Sequence, residues 1–183
     1  MSGHSRWSQI RRKKDITDQK RGQIFSKLSK AITLAARKGT DPKTNVALAN
    51  AIEQARSMNM PNENIQRAVK KVSEKGEAQL EEFVIEAIWT GARLPSPATQ
   101  AVGGQGVALR IKGVTDNKNR TISEIKKVLS DHEVKMVQPG SIGWMFNTPV
   151  QIDEQAQKKL DKLLEALGDL DDISDISSNI TNN

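Results

Sequence analysis

VALRIKGVTDNKNRTISEIKKVLSDHEVKMV, residues 107–137, decides the fold. Its first eight residues alternate in the manner of a strand with one buried face. Thr121 and Glu124 stand in capping-box spacing and predict the start of a helix whose inner stripe is Ile122, Ile125, Val128 and Leu129. A short strand is predicted over 134–137. Strand, helix and strand within about thirty residues make a βαβ unit.

Downstream, Pro139-Gly140 predicts a turn and 142–146 (IGWMF) a further strand. A helix is predicted over 153–167, with Ala156, Leu160, Leu163, Leu164 and Leu167 on one face, and a last strand over 173–180. The predicted order is β-α-β-β-α-β, the split βαβ plan of a ferredoxin-like sandwich. Upstream, 82–89 (EFVIEAIW) is rich in strand formers and is expected to add at the edge of that sheet. Between it and Val107, residues 91–106 (GARLPSPATQAVGGQG) read as a loop, more simply a long hairpin connection than a binding loop.

The first third reads as helical. Over 17–38, Ile24, Leu28, Ala31 and Ala35 step by four, three and four, and Phe25 and Ile32 widen the stripe. Gly39 and Asp41-Pro42 end this helix. A second is predicted over 45–57 on Leu48, Ile52 and Ala55. A third begins near Pro61, with Glu63 in its first turn and Ile65, Ala68, Val69 and Val72 inside. The expected fold class is therefore α+β: a three-helix bundle with a basic arm over 1–76, followed by the sandwich over 77–183.

Charge divides along the same line. Residues 1–76 hold 17 Lys and Arg against 6 Asp and Glu, and 77–183 hold 11 against 16, so a strongly cationic part precedes an anionic one. That asymmetry predicts a polyanionic partner for the first part. The chain has no Cys, which excludes disulfides and thiolate metal sites and fits a cytoplasmic location. No apolar run is long enough to span a bilayer, so no membrane role is expected.

The partner is read from GHSRWSQIRRKKDITDQKRGQIFSK, residues 3–27. Each phosphate neutralised by an extended cationic arm releases condensed counterions. The residues expected to bind nucleic acid are His4, Arg6, Trp7, Arg11, Arg12, Lys13, Lys14, Lys20, Arg21 and Lys27. Trp7 could stack on a base or pack on the bundle; a solvated tail is the plainer account of any charge run, and the length of this one and its aromatic argue against it.

Other constellations favour bland accounts. Asp169, Asp171 and Asp172 suggest a solvated loop more than a metal or acid–base site. Asp116, Asn117, Asn119 and Arg120 are expected to shape a turn and cap. Gly103-Gly104 and Gly106 lead into a strand, the reverse of a dinucleotide fingerprint. Trp144 and Phe146 alternate on the predicted strand, and one or both are expected in the sandwich core in preference to forming a nucleic-acid platform. No nucleophile, base or metal set can be named, so neither an enzyme nor a cofactor is expected.

Several segments resemble the YebC family: GHSRW-x2-IRRKK and D-x-KRGQIFSKL over 3–28, NAIEQARSMNMPNENIQ over 50–66, TDNKNRTI over 115–122, GSIGWMF over 140–146 and LEALGDLDDISDISSN over 164–179. The resemblance implies a DNA-binding transcriptional regulator. The alternative it implies is a ribosome-associated translation factor binding ribosomal RNA, because relatives include the mitochondrial translational activator of cytochrome c oxidase. The acidic sandwich could then serve as a face for a ribosomal or other protein partner; the oligomeric state stays open. Two departures stand out. The family's short YGPGG-like turn is replaced by residues 91–106, and only 147–152 stand where the family carries a third, inserted α/β domain.

Overall fold

The computed structural model describes residues 18–73, 80–90 and 106–181. The arm residues His4, Arg6, Trp7, Arg11, Arg12, Lys13 and Lys14, and nearly all of the 91–106 segment, lie outside the described residues. What is described falls into two compact units, one from 18–81 with 114–117 and one from 82–113 with 118–181.

The helical unit holds α1 (Asp18–Ala36), α2 (Val46–Ser57), α3 (Asn62–Lys70) and a 3-10 turn, Lys71–Ser73. Its core is built from Ile24, Leu28, Ile32 and Ala36 of α1, Leu48, Ile52 and Ala55 of α2, Met60, and Ile65 and Ala68 of α3. Each large aliphatic so buried contributes about 1.5–3 kcal/mol. Asn45 joins two helices. Its Oδ1 accepts from Leu48 N at the start of α2, and its Nδ2 donates to Gly39 O at 2.7 Å and to Ala35 O at 2.8 Å, which also accepts from Lys38 N, so the amide ties the end of α1 to the start of α2. Thr33 is buried and donates its hydroxyl to Ala68 O at 2.9 Å, tying α1 to α3.

The second unit is an antiparallel sheet of β1 (Glu81–Trp89), β2 (Val107–Thr115), β3 (Val134–Val137) and β4 (Ile173–Ser178), in the order β3-β1-β2-β4. Two helices, α4 (Lys118–Asp131) and α5 (Glu154–Gly168), complete it. Phe83, Ile85, Ala87 and Trp89 of β1 and Val107, Leu109 and Ile111 of β2 meet Ile125 and Leu129 of α4 and Leu160, Leu163, Leu164 and Leu167 of α5 in one core. The α+β class, a helical bundle and a sandwich, is thus as expected.

The strand order needs correction. β1 pairs antiparallel with β3, Glu86 opposite Val137, and β2 pairs antiparallel with β4, Ile111 opposite Ile176. β2 and β3, joined by α4, are therefore separated by one strand, as the split βαβ plan requires. That strand is β1, from before the loop, and not 142–146. β1 is central where an edge strand was expected.

Residues 143–147 instead form a 3-10 turn, in which Met145 N donates to Ile142 O. With the slot filled, this segment has no strand partner. Its buried residues, Ile142 and Met145, recur every third residue instead of every second. Asn179 fixes it to the sheet: Oδ1 accepts from Ala108 N, while Nδ2 donates to Met145 O and Thr148 O.

The capping box is also overturned. α4 begins at Lys118, so Thr121 lies inside it, buried, and its hydroxyl donates to Asp172 Oδ2. Two glycines allow close approaches. Gly106 has φ +81°, and a Cβ there would fall 2.1 Å from Trp89 O; one on Gly113 would fall 2.0 Å from Asp172 O and 2.5 Å from the Phe83 ring.

Candidate nucleic-acid interface

The stripe that buries Ile24, Leu28 and Ile32 leaves the other side of α1 for polar residues. At 100° per residue, Lys20, Lys27, Lys30 and Arg37 share that side, spaced by seven, three and seven. With a rise of about 1.5 Å per residue, the row extends about 25 Å along the helix and its end. Lys20, Lys27 and Lys30 are half-buried, and Arg21 and Arg37 are exposed. Arg37 is held in place by donating from Nη1 to Leu80 O at 2.6 Å.

Arg67 and Lys70 are exposed in the last turn of α3, and Lys71 follows. A cavity of about 260 Å³ lined by Ser26, Ser29, Lys30, Thr33, Lys71, Leu80 and Asp116 lies in the same unit. Over residues 18–73 there are 11 Lys and Arg against 4 Asp and Glu. One of those acids, Asp41, is exposed and accepts from Lys43 N on its own loop. Such a surface attracts polyanions, through charge that salt screens.

Of the ten residues singled out in the sequence, only Lys20, Arg21 and Lys27 are described. The structure places Lys20 and Lys27 in one row. Sequence reasoning missed Lys30 and Arg37, which the helical period would have joined to them, and Lys71, which the packing of the bundle brings to the same cavity as Lys30.

The carboxylates of the second unit divide by burial. Asp169 and Asp171 are exposed, consistent with a loop. Asp172 is not solvated: its side chain is 3% exposed and pairs with Arg120 at 3.0 Å as well as with Thr121. Arg120 and Asn117 accordingly serve turn and pairing roles, Asn117 N donating to Thr115 Oγ1. Among the described residues, no three His, Cys, Asp or Glu are grouped to hold a metal, and no helix is long and apolar enough to cross a membrane.

The far face of the sheet carries a second ion pair. Glu86, whose side chain is 4% exposed, accepts from Arg110 Nε at 3.0 Å and Nη2 at 2.8 Å, and from Gly140 N at 2.8 Å. Burial alone would raise its pKa. The Arg110 hydrogen bond, the Gly140 amide, the charge of Arg110 and the Ile142 amide outweigh burial and hold the carboxyl below its ordinary value. The Arg110 guanidinium lies 4.4 Å from the Phe146 ring centroid. Where one or both rings were expected in the sandwich core, Phe146 is half-buried against the smaller cluster of Ala108, Ile142 and Met145, and Trp144 is 47% exposed.

Residues 5–75 match the model of the TACO1/YebC protein N-terminal domain, and 97–149 match that of the TACO1/YebC second and third domain. A probable transcriptional regulatory protein of Chloroflexus aurantiacus is 44% identical over 163 residues, covering 86% of this chain and 59% of that protein. Another, of Chlorobium luteolum, is 40% identical over 178 residues, covering 95% and 66%. The chain thus spans about three-fifths to two-thirds of the length of these relatives. The crystal structure of a conserved hypothetical protein from Aquifex aeolicus is similar, with TM-score 0.76, 28% identity and 97% of each chain covered.

Proposed function

Because the chain belongs to the TACO1/YebC family, we propose that it is a non-enzymatic regulator of gene expression that binds nucleic acid, DNA in the first instance, through its cationic amino-terminal third. The observation that carries this is the segregation of charge: the arm and bundle are strongly cationic, and α1 lines up Lys20, Lys27, Lys30 and Arg37 on one side. Relatives named probable transcriptional regulatory proteins support the regulatory role. In this reading Arg6, Arg11, Arg12, Lys13, Lys14, Lys20, Arg21 and Lys27 contact phosphates, with His4 beside them and Trp7 available to stack.

Phosphate contact has a measurable signature. With about five phosphates neutralised, log affinity for duplex DNA falls against log salt with a slope of roughly −4 to −5. Replacing Arg11, Arg12, Lys13 and Lys14 by Ala flattens that slope by several units and leaves the far-ultraviolet circular dichroism unchanged. Undiminished binding to duplex DNA and to ribosomal RNA after those four changes would remove the arm from the site.

A further inference from the structure

We propose that the 3-10 turn 143–147, seated on the sheet face opposite α4 and α5, forms with Arg110 a platform for an unpaired nucleobase, built on Arg110, Phe146 and Trp144. The proposal deepens the nucleic-acid reading and rests on it.

Three observations point there. The first is the position of the aromatic rings. Phe83 and Trp89 face the helices and are buried, whereas Trp144 keeps 47% of its surface in water although Ile142 and Met145 of the same turn are buried. An indole left in solvent on an otherwise anchored segment is available for stacking.

The second is the preorganisation of Arg110. Phe146 supports its guanidinium at 4.4 Å, Glu86 fixes Nε and Nη2, and its side chain remains 31% exposed. No acceptor among the described residues takes its remaining nitrogen, Nη1. A planar cation with two nitrogens fixed and one open presents both a stacking surface and a directed donor.

The third is charge balance. Glu86 neutralises Arg110, so this face lacks the excess positive charge that would favour a phosphate. Stacking together with one hydrogen-bond donor suits a base offering a carbonyl oxygen or ring nitrogen. Exposed aromatic rings and Arg planes bind unpaired bases on this physical basis.

The test uses the full chain and three labelled probes followed by fluorescence anisotropy: a single-stranded RNA dodecamer, an abasic ribose-phosphate dodecamer and a DNA duplex of the same length. The expected result is that Trp144→Ala weakens the base-bearing strand about tenfold, the size of one lost base–aromatic stack. Affinity for the abasic strand and for the duplex is unchanged. Arg110→Lys, which keeps the charge beside Glu86 and removes the plane, weakens the base-bearing strand several-fold.

Unchanged single-strand affinity in Trp144→Ala, or an equal loss for the abasic strand, overturns the platform. So does loss of self-association in that variant with unchanged oligonucleotide binding, which would assign the face to a second copy of the chain. In those cases salt-dependent retention of the abasic strand and duplex leaves the phosphate reading standing. A wild-type chain that retains none of the three probes defeats both.

Discussion

Glu86 stands in the middle of a sheet with its carboxylate almost closed to water, yet it remains the charged partner of Arg110. Because its folded pKa lies below the unfolded value of about 4.3, it contributes stability above that value and loses it as pH falls through the folded pKa. Glu86→Gln should therefore be less stable than wild type near neutrality, with the gap closing on acidification below about pH 4. Urea midpoints across a pH series measure this; a gap independent of pH would show that the carboxylate contributes through shape alone. Asn45 poses the opposite problem, a buried amide whose contacts are all local. Asn45→Ala removes the α2 cap and the donor to Gly39 O, while Ala35 O keeps Lys38 N, so urea unfolding should show a loss of about 2 kcal/mol. A value below about 0.5 kcal/mol would mean that water replaces the side chain.

Helical elements followed their apolar stripes, because a helix satisfies its backbone within itself and needs only one face covered. Strands were harder to assign, since each must borrow hydrogen bonds from another strand. Residues 82–89 and 142–146 both suit a strand by composition. β1 took the central place beside β2 and β3, and the later segment closed on itself as a 3-10 turn held by Asn179. The junction of β2 with β4 depends on backbone proximity at Gly113, where the pairing also slips in register. Gly113→Ala should destabilise the chain by about 3 kcal/mol, since the new methyl meets Asp172 O and the Phe83 ring. Thermal denaturation checks this; an unaltered midpoint would mean that the strand can move aside at little cost.

Across the molecule, two separate hydrophobic cores accompany two opposite charge balances. The helical core is smaller and sits among like charges that repel one another, and this repulsion weakens the compact state. Heating should therefore remove the bundle's share of the helical circular dichroism before the fluorescence of Trp89, buried in the sandwich and read in a chain with Trp7→Phe and Trp144→Phe, changes. Added salt should narrow the interval by screening the bundle. Coincident transitions by both probes at low salt would show that the cores melt together. On the proposed reading the first part of the chain contacts phosphate, while the turn that bears Phe146 and Trp144 belongs to the second.

Periodicity and composition by themselves determined the helices, the α+β class and the cationic amino-terminal third. All three depend on local spacing or on totals, which the chain carries without knowing its own contacts. Tertiary structure decided what lies between β2 and β3, the inward turn of Asp172 and the exposure of Trp144. Each of these depends on which distant segment fills a place first. A strand sequence does not record its partner, nor a carboxylate whether a hydroxyl and a guanidinium will reach it.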